Sequence, residues 1–273
     1  MTDFLRAGPD DARATLLLAH GAGAAMDGPG METLTAAFTV HGLAVVRFEF
    51  GYMAARRQGQ RKPPPKAETL IGEYRAAVEA LGPVGRLVIG GKSMGGRVAS
   101  MLKDEVAPAG LLCLGYPFHP PGKPEQLRTA HLEGLATPTL IAQGTRDPFG
   151  TREEVETYPL SGAIEMFWLE DGDHDLRPRK KVSGFSMADH MASLGAKVGC
   201  HTMPVVIVSP VSAPSAGLDV ASTVNALLVS LLRNGSVTFP PPVPVRKISA
   251  KFGSRMSRDR VMRQRSDSTI CAS

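Results

Sequence analysis

The sequence predicts a three-layer α/β domain on a mostly parallel central sheet, followed by an irregular C-terminal tail. Short runs of Leu, Val, Ile and Ala without polar alternation recur between residues 15 and 169, as expected of strands buried on both faces. Between them lie longer segments whose apolar residues fall on one helical stripe. Alternation of this kind calls for right-handed crossovers with helices on both faces of one sheet.

The elements follow in order. Residues 15–20 form the first buried strand, and the Gly28-Pro29-Gly30 break precedes a helix over 31–40. A strand over 45–50 leads to a helix over 68–81, where Leu70, Ile71, Tyr74, Val78 and Leu81 share a stripe. A strand over 86–90 runs into a helix over 95–106 that spaces Val98, Leu102 and Val106 four apart. Strands over 111–114, 139–143 and 164–169 complete the sheet.

Composition narrows the function classes. An apolar fraction of 43% over 273 residues excludes wholesale disorder and fibrous architectures. Aromatic residues at 5% are too few for a nucleic-acid stacking platform. Cys113, Cys200 and Cys271 are too scattered for a disulfide framework or a zinc cluster, so the cytoplasm is the expected compartment. The net charge of +5 is unevenly spread: residues 1–200 sum to −1 and residues 201–273 to +6. The body is therefore not expected to bind nucleic acid, and only the tail is a candidate for nucleic acid or an anionic surface. Asp3, Asp10 and Asp11, with an apolar run of only four residues at Leu16-Leu17-Leu18-Ala19, argue against an export signal. No run of about eighteen apolar residues suggests a membrane span.

The sharpest chemical signal is Gly91-Lys92-Ser93-Met94-Gly95, a G-x-S-x-G between a buried strand and a helix. A nucleophile on such a turn needs little bulk on either side, and the turn aims helix N-terminal N–H groups at the reacting oxygen. A phosphate-binding loop ending in Gly91-Lys92-Ser93 would need Gly at Arg86 and a loop where Leu87-Val88-Ile89 forms a strand, so nucleotide binding is set aside. A serine hydroxyl needs a base, and the base an orienting acid. After a nucleophile elbow the order is Ser, then Asp or Glu, then His, each just beyond a strand. Asp147 in Gly144-Thr145-Arg146-Asp147 and His174 in Gly172-Asp173-His174-Asp175 stand in that order. Glu170 and Asp171 are lesser candidates for the acid. His20-Gly21-Ala22-Gly23 closes the first strand, where acyl transfer needs a second oxyanion donor; Ala22 N–H is expected to join Met94 N–H there.

These motifs resemble the α/β-hydrolase superfamily over about residues 12–190. Arg47-Phe48-Glu49-Phe50, the stretch from Gly90 to Arg97, and Gly115-Tyr116-Pro117-Phe118-His119-Pro120-Pro121 resemble its small dienelactone-hydrolase-like branch more closely. That branch includes the hydrolase-like domain of a regulatory subunit of a chromatin acetyltransferase complex. The resemblance implies the α/β-hydrolase fold and a Ser93–His174–Asp147 hydrolase, either active on a small ester-type substrate or kept as a catalytically idle interaction module. No cofactor and no metal is implied.

Several expectations concern the surroundings. The 115–138 connection is short and proline-stiffened, a minimal lid over an open cleft. Arg56 and Arg57, with Arg61, Lys62 and Lys66, are candidates for attracting an anionic substrate, and His119 for touching it. His41, His131, His190 and His201 are read as surface residues. The domain is assigned to residues 1–200 and the tail to 201–273. Pro204 and Pro210 interrupt the helix begun at Met187, so a helix over 220–232 supplies the closing helix or the tail is foreign to the fold. Four prolines within 239–245 and the basic, Ser-rich 247–273 show no core-forming pattern.

Overall fold

The computed structural model describes residues 2–60 and 63–201. Among them the strands are β1 (Phe4–Ala7), β2 (Thr15–Ala19), β3 (Ala44–Phe48), β4 (Leu87–Lys92), β5 (Gly110–Leu114), β6 (Thr139–Gly144) and β7 (Ile164–Leu169). They form one sheet in the order β1-β3-β2-β4-β5-β6-β7, parallel throughout except that β1 runs antiparallel to β3. Every strand expected from the sequence is present. β1 is the addition: four residues pairing only with β3, Phe4 opposite Phe48, too short for a periodic signal.

The apolar runs are unbroken because helices cover both faces of the sheet. Leu16 and Leu18 pack with Val88, Leu112 and Leu140 on one face, and Leu17 and Ala19 with Ile89, Leu111 and Ile141 on the other, following the two-residue alternation of a strand. Each such side chain contributes about 1.5–3 kcal/mol on burial. The helices are α1 (Pro29–Thr39), α2 (Gly51–Arg57), α3 (Ile71–Leu81), α4 (Met94–Val106), α5 (Ala130–Glu133), α6 (Arg152–Val155), α7 (Lys180–Ser183) and α8 (Met187–His201), with a 3₁₀ turn at Ala67–Leu70 before α3. The unread helices α2, α5, α6 and α7 span seven residues or fewer, below what a helical stripe can register.

The chain enters the sheet centre at β2, steps out to β3, then returns to β4 on the other side of β2. Ala19 is in register with both Phe48 and Gly91. The connections leaving β2 and β4 therefore diverge at their carboxyl ends, which is where open α/β sheets bind ligands. The buried Tyr74 hydroxyl ties these two strands beneath that point, lying 2.7 Å from the Leu17 carbonyl oxygen and accepting the Gly90 N–H at 2.9 Å.

The closing helix corrects one expectation. α8 runs on to His201 and buries Met191, Leu194 and Val198, so the sheet needs no helix from 220–232 to close it. Gly195 packs tightly on α1: a Cβ there would lie 2.3 Å from the Ala37 carbonyl oxygen. The helix expected over 220–232, and the foreign-tail reading of the segment, lie outside the described residues. A cut after His201 is expected to leave the melting temperature within about 2 °C, whereas a cut before Met187 removes three core side chains, Met191, Leu194 and Val198, worth about 1.5–3 kcal/mol each. Thermal unfolding of the two truncations checks this; an equal fall in both would contradict it.

Between β5 and β6 the chain forms only the four-residue α5, and Tyr116 and Phe118 point into the core rather than over the cleft. Among the described residues no helix is long and apolar enough to cross a membrane.

Candidate active site

Ser93 occupies the single residue between β4 and α4, with φ 50°, a left-handed conformation that costs a non-glycine residue about 1–2 kcal/mol. Such strain persists only where the surroundings impose it. Its N–H is held by the Leu114 carbonyl at 2.9 Å. Gly95 faces the end of β2 so closely that a Cβ would sit 2.5 Å from the Ala19 carbonyl oxygen. The G-x-S-x-G spacing is thus a packing requirement of two central strands as well as a chemical one.

The loops after β6 and β7 bring the other two groups in. They touch at Gly144, where a Cβ would lie 2.2 Å from the Gly172 carbonyl oxygen. His174 Nε2 lies 2.8 Å from Ser93 Oγ, and His174 Nδ1 lies 2.8 Å from Asp147 Oδ2. With Nδ1–H donating to the carboxylate, Nε2 is free to accept the serine proton. Asp147 is fully buried, its Oδ1 accepting the Phe149 N–H at 2.9 Å and its Oδ2 the Gln143 amide at 3.0 Å. Gln143 is itself fixed, accepting the Tyr116 N–H at 2.7 Å and donating to the Gly150 carbonyl at 3.2 Å. Phe149 stacks on the imidazole with ring centroids 4.1 Å apart. Gln143 and Phe149 escaped the sequence reading, although Gln143 is a lone amide at the end of an apolar run, four residues before the candidate acid.

The other acids near His174 have different partners. Glu170 is exposed. Asp171 accepts the Arg179 N–H at 2.6 Å and its Nε–H at 2.8 Å, and pairs with Arg146. Asp173 accepts the N–H groups of Asp175 and Arg177, shaping the turn that carries His174. Asp175 stands 3.6 Å from Lys92 Nζ, an ammonium whose pKa burial lowers. Leu176, with φ 61°, is anchored by the His190 Nδ1–H, which donates to its carbonyl at 2.8 Å. The surface reading of His190 is thereby corrected: it is buried and ties α8 to this loop.

The Arg179 guanidinium, with the Arg179 N–H, holds the Asp171 carboxyl at about 2, below its ordinary 3.8. A depressed carboxyl stabilises the fold fully above the ordinary value and loses that contribution as pH falls toward the lowered one. Asp171→Asn is therefore expected to lower the melting temperature at pH 6, with the gap to the parent closing between about pH 4 and 2. A gap unchanged across that range in thermal scans would contradict the assignment.

His20 organises the opposite wall. It is buried, and desolvation lowers its pKa, keeping the ring neutral. Its Nε2 accepts the Phe50 N–H at 3.1 Å, so Nδ1–H donates to the Gly21 carbonyl at 2.7 Å. The Tyr52 hydroxyl donates to the Ala22 carbonyl at 3.0 Å, orienting the peptide that follows. Ala22 and Met94 line, with Ser93, one cleft of about 730 Å³. Met94 opens α4, where N–H groups have no intrahelical acceptor.

Three sequence candidates lie away from this cleft. Arg57 is bound to Glu49 at 2.5 Å and Asp27 at 2.6 Å, and Arg56 lies over the Tyr52 ring at 5.6 Å. His119 is 2% exposed, hydrogen-bonded to the Pro120 carbonyl at 2.9 Å and facing Glu154 at 3.4 Å. None of the three lines the cleft with Ser93. Arg61 and Lys62 lie outside the described residues, and Lys66 alone of that cluster borders it. A second Ser–His contact joins Ser100 Oγ and His131 Nε2 at 2.8 Å, correcting the surface reading of His131. Ser100 is fully buried within α4, its hydroxyl 2.7 Å from the Arg97 carbonyl, and is absent from the cleft lining.

A partly exposed hydroxyl on an imidazole that is itself held by a buried carboxylate, beside helix N-terminal N–H groups, has the parts required for acyl transfer. An alpha/beta hydrolase domain family matches residues 12–201. Among solved structures, an α/β serine hydrolase without lid from Xanthomonas campestris aligns at 17% identity and TM-score 0.56, covering 73% of this chain and 87% of the other. An α/β serine hydrolase homologue from Coxiella burnetii aligns at 18% and 0.56, with 73% and 90% covered. A dienelactone hydrolase from Anabaena variabilis aligns at 16% and 0.56, with 72% and 89% covered. These likenesses show the fold.

Proposed function

The chain belongs to the alpha/beta hydrolase domain family, and from that premise we propose a serine hydrolase that cleaves an ester, thioester or related carbonyl substrate through an acyl-enzyme. Ser93 is the nucleophile, His174 the base, Asp147 the orienting acid, and the Ala22 and Met94 N–H groups form the oxyanion hole. The observation that carries this reading is the pair of 2.8 Å contacts linking Ser93 Oγ, His174 and Asp147. The Gly115–Pro121 and Arg47–Phe50 motifs support placement near the dienelactone-hydrolase-like branch, and likeness to the chromatin-complex subunit's domain rests on the same motifs. We assign residues 201–273 to a basic tail outside the catalytic unit, and the protein to the cytoplasm on its scattered cysteines.

As Ser93 Oγ bonds to the substrate carbonyl carbon, its proton passes to His174 Nε2, and the carbonyl oxygen takes the negative charge between the two backbone donors. Asp147 stays ionised and stabilises the imidazolium. Collapse expels the alcohol or thiol, which takes the proton from His174, leaving the acyl group on Ser93. Water then gives a proton to His174 while attacking the acyl carbon; the acid leaves and Ser93 recovers its proton. The donors matter most as charge develops on oxygen, each contributing about 10²–10³ in turnover.

A screen of p-nitrophenyl esters, acyl thioesters and lactones, run beside Ser93→Ala, tests the reading. The expected result is turnover of short-chain members that the alanine variant lacks. Silence across the screen would favour a catalytically idle scaffold.

A further inference from the structure

The cleft beside Ser93 is lined by Lys66, Arg97 and Arg128 against a single acid, Glu68. Glu68 pairs with Arg97 but leaves it incompletely satisfied, since Arg97 Nε is buried without a hydrogen-bond partner. Glu68 also acts on Arg128 through space, but among the described residues no carboxylate forms a close ion pair with Arg128 or Lys66. Burial, and then the like charge of Arg97, lower the pKa of Arg128 by more than Glu68 raises it, so the cleft keeps an excess of positive charge.

The positions are fixed by the fold. Arg97 follows Ser93 by four residues, its N–H bonded to the Ser93 carbonyl at 3.1 Å, so about 6 Å of helix rise separates them. The Arg128 N–H bonds the Phe118 carbonyl at 2.8 Å, holding this residue of the β5–β6 connection in place. The formal charge of the four groups is +2. A phosphate monoester carries about −1.5 to −2 near neutral pH and offers three acceptor oxygens. Two guanidinium groups and the exposed Lys66 ammonium suit it, whereas one carboxylate would leave about half the charge unanswered.

We propose that this cleft selects acyl esters or thioesters bearing a phosphate monoester a few bonds from the scissile carbonyl, held by Arg128 and Arg97 with Lys66 at the rim. The inference rests on the serine-hydrolase reading of Ser93 and deepens it to a substrate class. It also relocates the anion-binding role expected of Arg56 and Arg57, whose side chains are engaged on another part of the surface.

Three matched butyrate esters test it with the full chain: those of glycerol, glycerate and glycerol 3-phosphate, compared by kcat/KM. The phosphate ester is expected to exceed the glycerol ester by about tenfold to a hundredfold, the worth of charge-assisted hydrogen bonds, with the glycerate ester between them. Arg128→Gln should pull the phosphate-to-glycerol ratio toward one. Glu68→Gln, at an exposed position, should raise that ratio, and it decides the matter if the arginine variant folds poorly. Equal rates on the phosphate and glycerol esters, a best rate on the glycerate ester, or a ratio indifferent to both substitutions overturns the phosphate proposal and leaves the hydrolase standing. Failure to cut any of the three, together with no fluorophosphonate adduct on Ser93, overturns both.

Discussion

Ser93→Ala is expected to reduce ester turnover by about 10³–10⁶-fold while leaving the melting temperature within about 2 °C. The split follows from the site. The Ser93 hydroxyl contacts His174 and faces the cleft, and it supports no part of the core. The backbone strain at φ 50° is common to serine and alanine, so removing the hydroxyl does not change it. His174→Ala should fall to the same floor, and the double variant no further, because the two groups act as a unit. Stopped assays on a responsive p-nitrophenyl ester, paired with thermal scans, decide this. Additive losses from the two single changes would contradict a shared proton-transfer step.

The second large effect is expected at the acid. Asp147→Asn keeps the shape but replaces the acceptor of His174 Nδ1–H, and loss of that tautomer control is worth about 10⁴ in turnover. Gln143→Leu attacks the same interaction one step back. It strips Asp147 of one donor and leaves the Tyr116 N–H buried without its acceptor, at about 1–3 kcal/mol for each unsatisfied group. Its turnover should fall by about tenfold to a hundredfold, with a shifted pH–rate profile that purely structural damage would not produce. Gln143→Glu, which sets a carboxylate beside Asp147, is expected to be worse than the leucine. A pH–rate profile identical to the parent's in Gln143→Leu would show that the amide does not act through the acid.

The sheet was readable because each central strand is covered on both faces, which leaves an uninterrupted apolar run in the sequence. β1 was not, because four residues paired along one edge need no such run. The elbow, the histidine loop and the acid loop announced themselves through glycines at strand ends and through chain order. The supporting groups did not. Tyr74 registers in sequence only as part of a helical stripe, yet its hydroxyl bridges β2 and β4. Gln143 and His20 are single polar residues whose roles depend on partners 27 and 30 positions away. The same limit explains Arg57: a run of basic residues carries no sign of which members meet Asp27 and Glu49, and which border the cleft. Pro204 marks where α8 must stop, but nothing in the sequence says that by then the helix has already completed the layer.

The most direct test of nucleophilic Ser93 is intact-mass and peptide mass spectrometry after treatment with a fluorophosphonate. One adduct per chain is expected, on the peptide carrying Gly91-Lys92-Ser93-Met94-Gly95, absent from Ser93→Ala and strongly slowed in His174→Ala. An adduct on Ser100, an adduct surviving in Ser93→Ala, or no adduct on folded protein would contradict it.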